Sequence, residues 1–328
     1  MLASRHNGAG LPAQAWLTNT RTSLLSEIDS GRAASILEHA QALLPTRSKS
    51  NEAPGEDLVA LELQVGSCLD RGIKRKDRPN EDSLFVTQGV LHSSSAPPKP
   101  FALFIVADGM GGHTHGQEAG QLAMQSLIEY VYASLCSQQV TPDALLTLLV
   151  EGVQSANQKL YQHNQEYRAN MGTTITAALV SDATAYVVNV GDSRTYLCRE
   201  ATGLSQITRD HSVVAALVEA GVIQPADIYT HPRRNQIYRS LGEKPLVEVD
   251  TFVVSLTDGD TLLLCSDGLW EMVRDPQIEA TLTSPTSTPS QLADTLVQAA
   301  LSGGGADNVS VIVVRVRKTT GNDTLLIF

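Results

Sequence analysis

Residues 173–198, TTITAALVSDATAYVVNVGDSRTYLC, decide the fold class of this chain. Three runs rich in β-branched and apolar residues, 173–180, 185–190 and 194–198, are separated by short turn signals, a pattern typical of strands in a meander. Other strand-like runs occupy 60–68, 83–87, 101–107, 247–254, 260–265 and 308–316, and helical stretches occupy about 117–138, 142–168, 211–220 and 289–301. Strands group with strands and helices with helices, so the sequence predicts an α+β fold with mostly antiparallel sheet.

The composition excludes several classes of protein. Of 328 residues, 42% are hydrophobic and 18% are charged, which is ample apolar material for a folded core. Because 24 basic residues face 35 acidic ones, the net charge of −11 argues against a nucleic-acid partner. The longest apolar runs, 101–107 and 261–265, are far shorter than the roughly 20 residues that span a bilayer, and the N-terminus lacks the apolar core of a signal peptide. We therefore expect a cytoplasmic protein without a membrane partner.

Cysteine spacing agrees with a reducing compartment. Cys68, Cys136, Cys198 and Cys265 lie far apart, without a C-x-x-C pair, in apolar or strand-like surroundings. Reduced core thiols are therefore expected rather than zinc ligands or disulfides.

A change in character near residue 58 predicts three segments: an N-terminal extension (1–58), a compact domain (59–318) and a C-terminal tail (319–328). The extension contains one short amphipathic stretch near Ser23–Leu44, which would make it helical in part, and then the breaker-rich PTRSKSNEAPGED (45–57). With five basic and six acidic residues, it carries little of the net charge. It would be an interaction arm, a regulatory cap or a disordered segment, and the sequence does not decide among these.

Two aspartates stand where an apolar strand ends and a glycine follows. Asp108 comes after FALFIVA, and Asp267 comes after TLLLCS. A carboxylate there would project at the rim of a sheet, and the glycine, which has no Cβ, can turn its carbonyl toward the same point. Any one such pair is more often an ordinary turn.

The turn interpretation weakens because similar positions recur. Acidic residues also mark strand boundaries in Asn80-Glu81-Asp82, in Gly191-Asp192-Ser193 and in Gly305-Ala306-Asp307-Asn308. Five such positions would suit one convergent site, where like charges would repel strongly without cations. The pattern therefore predicts two or more bound Mg²⁺ or Mn²⁺, which prefer oxygen ligands.

Eight segments, in this order, resemble the motifs of the metal-dependent protein phosphatase family, the type 2C serine/threonine phosphatases. They are GIKRKDRPNEDSLFV (72–86), VADGMGGH (106–113), GTT (172–174), VGDSR (190–194), TRDHS (208–212), HPRRNQIYRSLG (231–242), LLLCSDGLW (262–270) and GGADNVSVIVV (304–314). The resemblance covers about residues 60–317, and the DGMGGH form is similar to that of the bacterial branch.

The resemblance implies a four-layer α-β-β-α sandwich with two central, mostly antiparallel sheets and a binuclear metal centre at one end. Carried over position by position, the ligands of two tightly bound Mn²⁺ or Mg²⁺ ions would be Glu81, Asp82, Asp108, the carbonyl of Gly109, Asp267 and Asp307. Asp192 and the aspartate of SDG would hold a third metal more weakly. Glu271 would join them, although relatives that use this position carry aspartate, and a solvated acid in the first turn of a helix is the alternative.

The phosphate-binding arginine of the family has two candidates here. It normally lies five residues before the aspartate of NED, where this chain has Asp77. Arg75 keeps the family's spacing from Gly72, so a two-residue insertion best explains the pattern and favours Arg75 as the bidentate phosphate ligand. Arg78 is the alternative, and surface solvation is possible for either.

Histidine chemistry is less well defined. Met110 occupies the place where the eukaryotic branch has its candidate general acid. His211 in TRDHS and His231 in HPRRN mark a segment that resembles the family's flap, and its basic residues Arg233 and Arg234 would meet acidic or phosphorylated substrates or simply be solvated.

The function implied is hydrolysis of phosphomonoesters on serine and threonine, by attack of a metal-bridging water or hydroxide, with Arg75, Asp82 and Asp267 as the catalytic residues. Phosphorylated proteins would be the partners, a cognate serine/threonine kinase and its substrates among them, and the enzyme would be a monomer. Two alternatives stay open: a catalytically silent binding module of the same fold, and a phosphatase of small phosphorylated molecules.

Overall fold

Two antiparallel sheets form the centre of the structure, a computed structural model that describes residues 15–25, 61–93, 96–111, 114–137 and 142–318. In chain order the strands are β1 (Ala15–Leu25), β2 (Leu61–Asp70), β3 (Asp82–Ser93), β4 (Ala96–Met110), β5 (Gly172–Thr173), β6 (Ile175–Ser181), β7 (Thr184–Val190), β8 (Arg194–Arg199), β9 (Gly203–Gln206), β10 (Asp250–Ser255), β11 (Thr261–Cys265) and β12 (Val309–Lys318). The first sheet has the order β1-β3-β4-β6-β7-β10, with β5 paired to β4, and the second has the order β2-β12-β11-β8-β9.

Helices cover the outer face of each sheet. They are α1 (Thr114–Ser137), α2 (Pro142–Tyr167), α3 (Val213–Glu219), the single turn α4 (Asp267–Trp270), α5 (Asp275–Leu282) and α6 (Pro289–Ser302), with a 3-10 turn at Pro225–Tyr229. The long helices α1 and α2 pack on the first sheet, whereas α5 and α6 pack on the second. The predicted α-β-β-α sandwich is confirmed.

Alternation along the strands builds three apolar layers. In β4, Leu103 and Ile105 face the helices α1 and α2, while Phe104 and Val106 face the second sheet. Because side chains alternate across a strand, a strand covered on both faces needs an unbroken apolar run, which is what FALFIVA supplies. Leu262 and Ile312 meet Phe104 and Val106 from the other sheet.

Several elements differ from the sequence predictions. The strands β1 and β9 and the helix α5 were not predicted, and the strand expected over 247–254 begins at Asp250. β1 lies within the extension 1–58, where it pairs with β3 from Ala15↔Ser93 to Leu25↔Leu84. The amphipathic stretch near Ser23–Leu44 lies outside the described residues, except that 23–25 belong to β1, and the tail 319–328 also lies outside them. Among the described residues, no helix is long and apolar enough to cross a membrane.

One end of the sandwich gathers the acidic strand boundaries. Asp82 begins β3 and lies opposite Asp108 in β4. In the second sheet, Cys265 at the end of β11 pairs with Arg194 at the start of β8 and with Val311 near the start of β12. Antiparallel pairing therefore brings the turns that carry Asp192, Asp267 and Asp307 to the same end as Asp82 and Asp108.

Candidate metal centre

Asp82 is held by hydroxyl groups from the opposite sheet. Its Oδ2 atom accepts hydrogen bonds from the hydroxyl of Ser266 at 2.6 Å and from that of Ser310 at 2.8 Å. Ser266 directly precedes Asp267, and Ser310 lies shortly after Asp307. The two serines therefore fix the carboxylate of the first sheet against the acidic turns of the second.

The carboxylates are close enough to change one another's ionisation. Burial raises the pKa of Asp108 well above its ordinary value, and the charges of Asp82, Asp267, Asp307 and Asp192 raise it further. The pKa of Asp267 is raised in the same way, by burial first and then by neighbouring carboxylates. Because the charged form of these carboxylates is disfavoured, the site takes up either protons or cations.

Three buried carboxylate oxygens lack a donor. Within the described residues, Glu81 Oε1, Asp82 Oδ1 and Asp267 Oδ1 are buried and have no hydrogen-bond partner. Unpaired buried carboxylate oxygens are costly, and hard oxygen donors are what Mg²⁺ and Mn²⁺ prefer. The donor set therefore fits the metals that the sequence predicts.

Glycines leave room for a carbonyl beside Glu81. A Cβ placed on Gly116 would lie 2.4 Å from Glu81 Oε1 and 2.8 Å from the carbonyl oxygen of Gly109, so both oxygens border the same point. A Cβ on Gly109 would lie 1.9 Å from the carbonyl oxygen of Gly116. Only glycine at both positions permits this close approach of strand β4 to helix α1. The approach places the Gly109 carbonyl oxygen near the Glu81 carboxylate.

Arg75 bridges two of the acidic residues. Its Nη1 atom donates to Glu81 Oε2 and its Nη2 atom donates to Asp307 Oδ2, both at 2.6 Å. Among the described residues, no group of three or more Asp, Glu, His or Cys side chains is already arranged around one point as metal ligands. The guanidinium explains part of this, because Glu81 and Asp307 each direct one oxygen to Arg75.

Arg78 has a different environment from Arg75. Burial raises the pKa of Glu81, the guanidinium of Arg75 opposes that effect, and the charge of Arg78 opposes it more weakly. The Arg78 side chain is exposed, whereas Arg75 is half-buried. The proposed ligand residues Glu81, Asp82, Asp108, Asp192, Asp267, Glu271 and Asp307 are called the acidic cluster below. Of the two candidates for the phosphate ligand, the structure brings Arg75 into contact with this cluster.

Asp192 occupies a turn that is fixed from several sides. Gly191 has φ of +107° and donates its backbone N–H to Nδ1 of His211 at 3.0 Å, while the backbone N–H of His211 donates to the Gly191 carbonyl at 2.9 Å. The indole of Trp270 donates to the carbonyl of Asp192 at 3.0 Å. Burial, followed by the charge of Asp210, raises the pKa of Asp192 to about 7.

Glu271 lies one helical turn after Asp267, and its backbone N–H donates to the Asp267 carbonyl at 2.9 Å. Its charge raises the pKa of both Asp267 and Asp192, so the structure places Glu271 near these two residues. Arg234 of the flap faces it, with Nε 3.7 Å from Glu271 Oε2. Burial raises the pKa of Glu271, and Arg234 opposes that rise.

Sequence reasoning missed the residues that position the ligands. Ser266, Ser310 and Trp270 lie inside quoted motifs, but no spacing rule shows that the two hydroxyls donate to the Asp82 carboxylate or that the indole donates to the Asp192 backbone carbonyl. Asn308 is another, since its Oδ1 accepts from the backbone N–H of Glu81 at 2.9 Å and its Nδ2 donates to the Arg71 carbonyl at 2.8 Å. The asparagine directly after an acidic turn residue was the available signal.

Comparison with known proteins gives a consistent result. The family model described as protein phosphatase 2C matches residues 72–303. The serine/threonine phosphatase stp of Listeria welshimeri is 40% identical over 247 residues, which cover 75% of this chain and 92% of the relative.

Solved structures agree. The crystal structure of the Mycobacterium tuberculosis serine/threonine phosphatase PstP/Ppp has a TM-score of 0.65 and 34% identity, over 79% of this chain and 100% of that one. The catalytic domain of PstP in complex with two manganese ions has a TM-score of 0.64 and 34% identity, over 78% of this chain and 99% of that one.

Proposed function

Because the chain belongs to the protein phosphatase 2C family, it is a metal-dependent serine/threonine protein phosphatase, and we propose that the carboxylate cluster at the end of the sandwich is its active site. The observation that carries this assignment is the group of three buried carboxylate oxygens without donors, on Glu81, Asp82 and Asp267. They lie where acidic turns of both sheets meet. Burial of carboxylate charge without a donor or a counter-charge is costly, and cations bound there would offset that cost.

The proposed ligands divide into a tightly binding set and a weaker one. Two Mn²⁺ or Mg²⁺ ions would be held by Glu81, Asp82, Asp108, the carbonyl of Gly109, Asp267 and Asp307. Asp192, Asp267 and Glu271 would hold a third cation less tightly. When bound, such cations neutralise the charge of phosphate oxygens and lower the pKa of water.

Arg75 would bind the phosphate of the substrate. A guanidinium presents two parallel N–H donors that match two oxygens of a phosphate, as they match the two carboxylates here. The loop that carries Arg75 is tied to the site, since a Cβ on Gly72 (φ of +74°) would lie 2.0 Å from the carbonyl oxygen of Asp307. Glu81 and Asp307 would thus keep the guanidinium at the cluster until a phosphate takes their place.

Neither Met110 nor His211 is suited to donate a proton to the leaving alkoxide. Met110 stands at the position of the eukaryotic candidate, and its thioether cannot donate a proton. His211 is buried and has contacts at both ring nitrogens, with Gly191 at Nδ1 and with Arg239 at Nε2. We propose that water protonates the alkoxide.

The proposal also covers the substrates, the oligomeric state and the location. Phosphorylated serine and threonine proteins would be the substrates, with a cognate kinase and its targets among them. A monomer would suffice, because all the proposed ligands come from one chain. A cytoplasmic location would agree with the four cysteines, which are all free.

A turnover assay tests the proposal. Purified protein is mixed with Mn²⁺ and either a phosphothreonine peptide or an aryl phosphate, and phosphate release is followed before and after addition of EDTA. We expect turnover of both substrates, loss with EDTA and recovery with excess Mn²⁺. Turnover that persists in EDTA, or failure to release phosphate from the peptide, would contradict the proposed function.

A further inference from the structure

Positive charge is concentrated in the loop between β2 and β3. This segment, RGIKRKDR (71–78), here called the basic loop, contains five basic residues and one acidic residue, although the chain as a whole carries a net charge of −11. The rest of the molecule is therefore more acidic than the total indicates. Charge segregated in this way at one place on a surface creates a local field that attracts oppositely charged partners.

The backbone of the basic loop is fixed beside the acidic cluster. The N–H of Lys74 donates to the carbonyl of Gly305 at 2.9 Å, and the N–H of Arg78 donates to the carbonyl of Arg75 at 2.9 Å. Asn308 donates to the carbonyl of Arg71 at 2.8 Å. These contacts attach the loop to the segment that carries Asp307, so its side chains project from a defined place at the rim.

The basic residues of the loop have different surroundings. Arg75 reaches into the cluster, and Arg71 donates to the carbonyl of Lys76 at 3.3 Å. Lys74 and Lys76 are exposed, and their ammonium groups have neither a hydrogen bond nor an ion pair with any described residue. Both lysines directly flank Arg75, and consecutive Cα atoms are only about 3.8 Å apart.

A second basic element faces the cluster from the flap. Arg234 lies 3.7 Å from Glu271, which itself acts on Asp267, and the neighbouring Arg233 is exposed. Cations of the basic loop and of the flap therefore both contact acidic residues of the proposed site, Arg75 through Glu81 and Asp307 and Arg234 through Glu271. The one acidic residue within the basic loop, Asp77, is exposed and only partly offsets this field.

We propose that Lys74 and Lys76 make this phosphatase selective for phosphoserine and phosphothreonine sites flanked by negatively charged residues. The inference rests on the proposed function and adds the substrate class. An extended peptide advances about 3.3 Å per residue, so the two ammonium groups would meet acidic side chains within a few positions of the phosphorylated residue. Arg75 binds the phosphate itself, whereas the lysines select the sequence around it.

The test compares three phosphothreonine peptides of equal length, which carry Glu, Gln or Lys at the positions flanking the phosphothreonine. For the wild-type holoenzyme with Mn²⁺, we expect kcat/KM to fall in the order Glu, Gln, Lys. The Glu peptide should exceed the Lys peptide on the order of fivefold to tenfold at low salt, as two exposed ion pairs would give. The ratio should shrink as salt rises, because the Debye length falls to about 10 Å at 0.1 M.

Two double variants separate local recognition from total charge. Lys74→Gln/Lys76→Gln should reduce the Glu-to-Lys ratio at least threefold and leave turnover of an aryl phosphate unchanged. Arg317→Gln/Lys318→Gln removes the same charge from exposed residues at the opposite end of β12, where Lys318 pairs with Leu61. This control should keep the wild-type ratio.

Each other outcome refutes a stated part of the account. Equal kcat/KM for the three peptides, or an equal loss of preference in both double variants, would overturn the inference and leave the phosphatase function intact. Aryl phosphate turnover without hydrolysis of any peptide would refute the protein phosphatase function and the inference with it.

Discussion

The Arg75 guanidinium donates to Glu81 and to Asp307, which belong to segments far apart in the chain and come from different sheets. In the proposed role, the guanidinium would exchange its two carboxylate contacts for two phosphate oxygens. Because it would contact the phosphate equally in the ground state and in the transition state, its contribution is uniform binding.

Replacing Arg75 by alanine should therefore raise KM by roughly tenfold or more, with a much smaller change in kcat. The matched control is Arg78→Ala, since Arg78 is exposed and acts on Glu81 only through its charge. Steady-state kinetics on an aryl phosphate with saturating Mn²⁺ measures both. If Arg78→Ala raised KM and Arg75→Ala did not, the phosphate ligand would be Arg78 and the two-residue insertion would be wrong.

The ionisation of Asp82 predicts a pH dependence of stability. Burial raises its pKa from an ordinary value of 3.8 to about 7. Between these values the native state holds a proton that the unfolded state has lost, so the free energy of unfolding falls as pH rises. The stability that this group supplies is fully present below pH 3.8 and is lost as pH passes about 7.

Metal-free protein should accordingly lose on the order of 1–3 kcal/mol of stability through this group as pH rises from 5 to 7.5. Urea unfolding in EDTA measures the loss, and Asp82→Asn serves as the control because its amide does not titrate. Saturating Mn²⁺ should remove the dependence, since cations hold the ligands in their charged form. If the wild-type protein lost no more stability between pH 5 and 7.5 than the Asp82→Asn variant does, this assignment would be wrong.

The flap, residues 211–241, has both ends tied to turns that carry proposed metal ligands. At its start His211 accepts from Gly191, next to Asp192, and the His211 carbonyl accepts from the Tyr238 N–H at 2.9 Å. At its end Leu241 exchanges two backbone hydrogen bonds with Thr173, whose hydroxyl donates to the Asp108 carbonyl at 2.8 Å. The position of the flap is thus coupled to two of the proposed ligands.

Removing the imidazole at the start of the flap should loosen the turn that carries Asp192. For His211→Ala we expect several-fold more Mn²⁺ at half-maximal activity, because the Gly191 N–H loses its buried acceptor. His211→Asn should retain much of the wild-type response, since its Oδ1 can accept the same hydrogen bond. Mn²⁺ activation curves of both variants measure this. An unchanged curve for His211→Ala would refute the positioning role of His211.

Elements that bury long apolar runs could be predicted from sequence, whereas short or edge elements could not. FALFIVA predicts a strand because its alternate residues fill two cores. Helix α5 buries only Ile278 and Leu282, and its N-cap residue, Arg274, makes no side-chain cap, so neither periodicity nor a cap signals it. Strand β1 contains Trp and Thr, which favour strands, but its 11 residues show no regular alternation of apolar and polar side chains, and its partner β3 lies more than 50 residues further along the chain.

The acidic residues of the candidate site could be predicted from strand boundaries and from the family resemblance. The residues that hydrogen-bond to them could not. That Ser266 and Ser310 turn their hydroxyls toward Asp82 depends on how the two sheets stack. Sequence periodicity determines which face of a strand is buried and leaves the register between sheets undetermined.

At the scale of the whole molecule, the apolar layers stabilise the fold, and the acidic cluster, which lies apart from them, is the proposed source of activity. Three buried apolar clusters hold the sheets and helices together, and the carboxylates occupy one end only. We therefore expect the fold not to depend on metal in the way that small zinc domains do.

Chelation should abolish activity and leave the fold intact. In EDTA we expect an unchanged far-ultraviolet circular dichroism spectrum at 25 °C and full recovery of turnover when Mn²⁺ is restored, because the sandwich cores need no cation. A cooperative loss of circular dichroism on addition of EDTA would show that the cations hold the molecule together.

The central claim is that the convergent carboxylates of the two sheets bind the catalytic cations, and a calorimetric titration with Mn²⁺ tests it most directly. Asp267 lies within the field of Asp192, Asp307 and Asp82, so its carboxylate would serve more than one cation. We expect two tight sites in the wild-type protein. In Asp267→Asn both should weaken by about tenfold or more, as loss of a charged ligand predicts, with no change in circular dichroism. Two tight sites of unchanged affinity in Asp267→Asn would contradict the account.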